Sequence, residues 1–363
     1  MQAQKYEIMS LRKIGFFILS FVLVFSSCNE DDGGAFVPVP PRDRTEQQIA
    51  DKDSIMSYLK THYYNSSAYD GSNPNPTIQD LIISEIEEGG DVPIGNTLLL
   101  NAIETKNTIS FDTNYEYYIL RLNHGGGVDF PTFVDSPMFT DNIRMTYEGS
   151  FLNGIIFDGN NFLSPVSFDL LNLIEGWRNV FPEFNTAEDF FENEDGTVEF
   201  LNPGVGVMFL PSGLGYFNST GPSGRLPAYS PLIFKFELLQ YFESDIDNDG
   251  IPSYLEGLDE NGEPFTTIEE LALINSDEDN LINISDPDDD NDGIATINEI
   301  TITNYERDTR NEVLAIPLAS NEVLLNKIKT IRDSSGMISK YIGVVITFTD
   351  SDNDGTPDYL DAE

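Results

Sequence analysis

The sequence predicts an α+β protein: a sheet with little helix, preceded by a helical extension and followed by an aspartate-rich repeat region. Three observations predict this. Residues 108–122 (TISFDTNYEYYILRL) alternate and are rich in β-formers. Residues 141–240 carry further strand signals with one clear helical stretch. After residue 243 an Asp/Asn/Gly pattern takes over.

The chain opens with an address. Lys5, Arg12 and Lys13 precede a short apolar run at 14–25 (IGFFILSFVLVF), followed by Ser26, Ser27 and Cys28. A charged start, an apolar run and small residues at a cleavage point make an export signal. The run has about 12 apolar residues, against the roughly 20 that a membrane-spanning helix needs. Phe25-Ser26-Ser27-Cys28 resembles a bacterial lipoprotein lipobox, which implies lipidation of Cys28 and removal of residues 1–27. Cys28 is the only cysteine, so no internal disulfide forms. Asn29-Glu30-Asp31-Asp32 is similar to the export signal of surface lipoproteins in the Bacteroidetes, although Asp and Gly also make a plain tether. The expected location is the bacterial cell envelope, anchored by lipid, at the outer membrane, with surface exposure open.

Residues 28–44 read as linker, being rich in Gly and Pro. An N-terminal extension follows over 45–109. It is helical at 45–63, with Thr45 as N-cap and Ile49, Ile55, Met56 and Leu59 at helical spacing. Residues 64–76 are loop, and 77–104 show no clear period. The glycines at 125–127 end the strand of 108–122. Further strands are expected at 143–150, 154–157, 205–210 and 232–239. Short helical pieces are expected at 173–181 and 186–191.

The formal net charge is −43, from 62 acidic and 19 basic residues. Binding to nucleic acid or to anionic lipid headgroups needs Lys and Arg clusters, so both are excluded as partners. One cysteine and two histidines argue against a zinc site. Hydrophobic residues make up 40% of the chain, enough to fill the cores of two or three small domains.

Four segments in order carry a resemblance. The first is Met145-Thr-Tyr-Glu-Gly149 followed by Asn153-Gly-Ile-Ile-Phe157-Asp158. The second is Pro165-Val-Ser-Phe168. The third is Leu173-Ile-Glu-Gly-Trp177. The fourth runs from Leu210-Pro-Ser-Gly-Leu-Gly-Tyr216 to Leu226 and on through Phe234 to Leu239. Over 110–241 the chain resembles the FKBP family of peptidyl-prolyl cis-trans isomerases. The resemblance implies an antiparallel sheet wrapped around one short helix, with an apolar pocket between them. It implies a pocket lined by Tyr147, Phe157, Asp158, Val166, Leu173, Ile174, Trp177, Tyr216, Leu226 and Phe234, with Trp177 as floor. Proline-containing segments of envelope or secreted proteins are the implied substrates, and no cofactor is needed for catalysis. Phe168 is expected to be core. The chain departs from the family at Val166, where a large aromatic is usual, and at Phe217, where glycine is usual. Residues 184–203 form a longer acidic insertion.

Residues 243–363 hold the repeats. Asp245, Asp247, Asp249, Gly250 and Glu256 stand at positions 1, 3, 5, 6 and 12 of a loop. Asp288, Asp290, Asp292, Gly293 and Glu299 repeat the spacing, as do Asp350, Asp352, Asp354, Gly355 and Asp361, with Asp358 between. A degenerate copy lies at Asn275, Asp277, Asp279, Asn283 and Asp286, with Asn280 in place of glycine. This is the spacing of an EF-hand loop, in which alternating side chains converge on a calcium ion that takes 6–8 oxygens. No amphipathic helices flank the loops, so they resemble thrombospondin type 3 repeats. Calcium is the expected cofactor, in a structural role, and affinities of about 10⁻⁴–10⁻³ M suit an external module. Residues 300–349, with a strand at 341–349, interrupt the repeats and have no functional reading.

Three functions are compatible with these residues. One is an active prolyl isomerase. The second is a non-catalytic FKBP-fold module binding Pro-containing segments, favoured by Val166 and Phe217. The third is a surface adhesion lipoprotein stiffened by calcium.

Overall fold

Asp43 starts the first helix, α1 (Arg44–Thr61). Its carboxylate accepts the Glu46 N–H at 2.9 Å, which satisfies one of the donors a helix start leaves orphaned. The cap is therefore Asp43, two residues before the expected Thr45. Ile55 and Leu59, one turn apart, are fully buried. Ile49 is 60% exposed, so the buried face begins later than the sequence spacing suggests. The computed structural model describes residues 40–73, 75–126, 136–160, 162–222, 224–256 and 267–362. Cys28 and the export signal lie outside the described residues. Residues 42–363 form one unit.

Three short strands follow α1. They are β1 (His62–Tyr64), β2 (Ile83–Glu85) and β3 (Thr97–Leu98), in the order β2-β1-β3. The next strands are β4 (Glu104–Ser110), β5 (Thr113–Asn123), β6 (Asn142–Phe151), β7 (Ile156–Gly159) and β8 (Val166–Asp169). After α2 (Glu175–Val180) come β9 (Asp189–Glu192), β10 (Val198–Leu201), β11 (Gly204–Leu210) and β12 (Leu232–Phe242). The main sheet has the order β4-β5-β11-β12-β6-β7, with β8 also on β6, and its pairings are antiparallel.

Two sequence expectations change here. The stretch 108–122 is not one strand but the hairpin β4–β5. Its turn residues Phe111 and Asp112 have φ of +46° and +57°, the left-handed pair that a two-residue hairpin turn requires. Residues 186–191 are not helical. Asp189–Glu192 pairs with Val198–Leu201 instead, because the Asn193 N–H bonds the Thr197 carbonyl at 2.8 Å and closes a tight turn.

The alternation of each strand divides two cores. Tyr115, Tyr117 and Ile119 of β5 face one side with Met145, Tyr147, Met208, Phe234 and Phe236. Tyr118 and Leu120 face the other with Val205, Val207, Phe209 and Ile233, where Ile55 and Leu59 of α1 cover them. Helix α2 covers the first side. Gly176 makes that approach possible, since a Cβ there would lie 2.4 Å from Leu210 Cδ1. Gly176→Ala is expected to cost about 1–3 kcal/mol through overpacking, read from the urea midpoint at unchanged m-value.

The stretch 300–349, which reads from sequence as an interruption, is itself a sheet. Strand β13 (Ile300–Arg307) is followed by α4 (Arg310–Leu314), β14 (Glu322–Leu324), β15 (Lys329–Arg332) and β16 (Ile338–Phe348). A one-turn helix, α3 (Ile268–Leu271), precedes them. The central strand β16 pairs with β13, β14 and β15. Ile251, Tyr254 and Leu255 of the first aspartate loop and Tyr359 of the last share a core with Ile300, Val344 and Ile346. The loops are thus pinned to this sheet by apolar residues just after their acidic positions. No helix among the described residues is long and apolar enough to cross a membrane.

Candidate functional site

Helix α2 is six residues long, and it sets Trp177 against the sheet. The indole is 4% exposed. Four rings meet it nearly edge-on: Tyr147 at 5.2 Å, Phe168 at 5.6 Å, Phe181 at 5.4 Å and Phe234 at 5.1 Å. Edge-to-face pairs at these distances are the favoured aromatic geometry. The indole N–H is buried with no hydrogen-bond partner.

Nine of the ten residues expected to line the pocket fall in or against this one cluster. They are Tyr147, Phe157, Val166, Leu173, Ile174, Trp177, Tyr216, Leu226 and Phe234. The tenth, Asp158, lies at its exposed edge. A cavity of about 260 Å³ opens there, lined by Phe157, Asp158, Tyr216, Pro222 and Leu226. Tyr147, Val166, Leu173, Ile174 and Phe234 belong to the surrounding core and do not line the cavity wall. Trp177 is not the cavity floor but stands two rings behind it: Phe234 packs on Trp177, and Phe157 packs on Phe234 at 5.7 Å. The volume is a little under the roughly 300–1,000 Å³ of drug-sized ligand pockets.

The polar groups gather at one edge. Burial, followed by the Asp158 charge, raises the Tyr147 pKa. Burial, then Asp158, also raises Tyr216. Both phenols therefore remain protonated donors at neutral pH. Asp158 also accepts its neighbour Gly159's N–H at 2.9 Å. Phe217 holds φ +48°, the conformation that glycine favours, and its ring is locked edge-on against Tyr229 at 5.0 Å. Sequence reasoning missed Pro222, Phe181 and the contact of Phe168 with Trp177. Phe181 was findable as the residue four after Trp177 on one helix face, and Phe168 as the residue two after Val166 on one strand face. Nothing in the pattern pointed to Pro222.

The aspartate loops form four groups. Carboxylate oxygens lie within 4.8 Å of one another in Asp245/Asp247/Asp249, in Asp277/Asp279/Asp286, in Asp288/Asp290/Asp292 and in Asp350/Asp352/Asp354. Two oxygens on one calcium lie at most about 5 Å apart, given bonds of 2.3–2.6 Å. Local geometry produces the convergence. In the first loop Asp249 accepts the Ile251 N–H at 2.8 Å and Asp245 accepts the Gly250 N–H at 3.2 Å. In the last loop Asp354 accepts the Thr356 N–H at 2.7 Å and Asp350 the Gly355 N–H at 3.1 Å. The fourth loop residue is left-handed in every copy: Asn248, Glu278, Asn291 and Asn353 have φ of 58–65°.

Several other carboxylate oxygens of the loops are buried and find no donor. Glu256 is 4% exposed, yet both its oxygens are buried without a partner, as is one oxygen each of Asp245, Asp247, Asp249, Asp277, Asp288, Asp290 and Glu299. Asp289, unmarked by the sequence spacing, is 1% exposed with one orphaned oxygen. A buried acceptor without a donor is costly, and a hard cation with oxygen ligands is what such a set fits. Burial, with repulsion from neighbouring carboxylates, pushes Asp249 to about 7, Asp289 to about 8 and Glu256 to about 10.

No protein-family model matches the chain, and no curated protein does. Among solved structures it is similar to a peptidyl-prolyl cis-trans isomerase from Pseudomonas syringae pv. tomato strain DC3000, with 15% identity and a TM-score of 0.29, over 56% of this chain and 98% of that one. It is also similar to FkpA from Escherichia coli, with 15% identity and a TM-score of 0.28, over 64% of this chain and 73% of that one.

Proposed function

We propose that this chain is a peptidyl-prolyl cis-trans isomerase of the FKBP type, acting on Xaa-Pro bonds of envelope or secreted proteins. The observation that carries the reading is the cavity between Phe157, Asp158, Tyr216 and Leu226, backed by the Trp177 aromatic cluster. Rotation about an Xaa-Pro bond breaks no covalent bond. Its barrier is roughly 18–20 kcal/mol and comes from amide resonance. An apolar cavity disfavours the charge-separated planar amide more than the twisted one. Binding energy gained on the proline ring then favours the twisted state. In this reading the Tyr216 hydroxyl, on a residue that lines the cavity, donates to a substrate carbonyl. Tyr147 and Asp158 orient the polar edge of the twisted amide.

The aspartate loops are proposed calcium sites, with Asp245, Asp247, Asp249 and Glu256 in the first. Asp277, Asp279 and Asp286 hold the second, Asp288, Asp290, Asp292 and Glu299 the third, and Asp350, Asp352, Asp354, Asp358 and Asp361 the fourth. Their role is structural. Cys28 is the proposed lipid anchor to the bacterial outer membrane.

A non-catalytic Pro-binding module is the second reading. The smaller Val166 at a position the family fills with a large aromatic favours it. Trp177 is the only tryptophan, and it reports on both readings. A short Pro-containing peptide titrated into the full chain is expected to shift its fluorescence saturably. Asp158→Ala is expected to leave the far-UV spectrum unchanged and to lower turnover roughly 10²-fold. Unchanged turnover in Asp158→Ala would remove Asp158 from the site.

A further inference from the structure

Three of the five residues lining the cavity, Tyr216, Pro222 and Leu226, come from the segment joining β11 to β12. A connection of that length is seldom ordered by its own contacts alone. Here it is gripped from outside, by the first turns of α1, 161 residues earlier in the sequence.

Asp51 of α1 is 2% exposed. Its Oδ2 accepts both the backbone N–H of Ser212 at 2.7 Å and the Ser212 hydroxyl at 2.6 Å. Its Oδ1 accepts the Gln47 amide at 2.6 Å. A buried carboxylate is tolerable only while its donors are in place, so the grip is strongly favoured over a partly open state. Two turns before Asp51, the Arg44 guanidinium lies over Phe111 at 4.1 Å and over Phe217 at 4.3 Å. It also donates to the Tyr115 hydroxyl at 3.0 Å and to the Gly213 carbonyl at 3.4 Å. The Arg42 N–H donates to the Tyr229 hydroxyl at 3.0 Å, and Tyr229 in turn braces Phe217. Phe217 adjoins Tyr216 and holds the left-handed conformation noted above.

We propose that the first turns of the N-terminal extension are a positioning clamp, in which Asp51 and Arg44 fix residues 211–230 and thereby aim Tyr216 and Leu226 into the cavity. This rests on the isomerase reading of that cavity. It gives the extension, which carries none of the cavity residues, a part in the pocket's geometry. Arg44 and Asp51 are positioning residues and touch no substrate. The glycine that the family places after the pocket tyrosine needs no such support. Phe217 has a ring that must be held, and Arg44 with Tyr229 holds it.

The test uses the full chain with Asp51→Ala, Asp51→Asn and Arg44→Met, and Lys52→Ala as a control on the same helix. Two readouts are taken together: amide hydrogen exchange by segment, and kcat/KM on an Xaa-Pro peptide. Asp51→Ala and Arg44→Met are expected to speed exchange across 211–230 at least about tenfold while β5 and β12 stay protected. They are expected to lower kcat/KM roughly ten- to a hundredfold, as misplaced catalytic groups do. Asp51→Asn keeps an acceptor for Ser212 and is expected to recover most of both. Unchanged exchange across 211–230 overturns the clamp. Faster exchange with unchanged kcat/KM overturns its positioning role. If Asp51→Ala fails to fold, Arg44→Met reads the same segment with Asp51 intact. A wild-type chain without turnover overturns the isomerase reading instead, and that is seen before any variant is compared.

Discussion

Trp177→Ala is expected to remove about 3–5 kcal/mol of stability and to abolish function at the cavity. The indole is the hub of the larger core, with Tyr147, Phe168, Phe181 and Phe234 all edge-on to it within 5.6 Å. Its removal leaves a void that four rings cannot fill without leaving their rotamers. Phe234 is the support for Phe157, so the cavity wall loses its backing even if the sheet survives. The urea midpoint gives the first effect and peptide binding the second. Trp177→Phe is expected to recover most of the stability, because it restores a ring if not the full volume. A midpoint for Trp177→Ala within about 1 kcal/mol of wild type would mean that the aromatic cluster is not the core described.

Removing calcium is expected to open residues 243–363 to protease while 110–241 stays intact. Each site at ten to a hundred times its dissociation constant adds about 1.4–2.7 kcal/mol, so several sites together are decisive for a marginally stable region. Without the ion, like charges face one another: Glu256 is pushed to about 10 by burial and by Asp247, Asp249, Asp289 and Asp245. The sign of the pH dependence follows. These carboxyls hold protons in the folded state that the unfolded chain releases near its ordinary values of 3.8–4.5. With EDTA present, the folded region is therefore most stable at low pH. It loses stability as pH rises above about 4, through the values near 7 for Asp249 and near 8 for Asp289 and on to about 10 for Glu256. With calcium present, the ion replaces those protons and the slope is expected to flatten. Limited proteolysis at pH 5.5 and 8, with and without EDTA, reads all four states. Equal nicking of both regions after EDTA would contradict the account.

What the sequence revealed depended on how local the determinants are. Asp245, Asp247 and Asp249 were legible as a group because a ligand loop is a run of neighbours, and the left-handed Asn248 is part of the same motif. Asp289 was not legible, because its burial depends on the fold around it and not on loop position. Tyr147, Phe157, Trp177 and Phe234 were legible as neighbours because each sits in a fixed register on a regular element, and the fold gathers them in one aromatic core. Tyr147, Val166, Leu173, Ile174, Trp177 and Phe234 pack behind the cavity wall and not on it, since much of the wall comes from the 211–230 segment, whose course follows no periodicity. The bond from Ser212 to Asp51 joins residues 161 apart in sequence, and no local pattern announces it. The two misread segments, 108–122 and 186–191, failed at their turns: Phe111 is an uncommon left-handed residue, and the Asn193–Thr197 turn closes a hairpin where a short helix was expected.

The central claim is tested most directly by the cis-to-trans relaxation of a short Xaa-Pro peptide, followed without a coupling protease, with the full chain and calcium present. Uncatalysed relaxation takes tens of seconds or more. The account predicts a rate that rises in proportion to protein concentration and returns nearly to the uncatalysed value with Asp158→Ala. A rate that stays at the uncatalysed value, with the protein shown to be folded, would contradict it and leave a module that binds proline segments without turning them over.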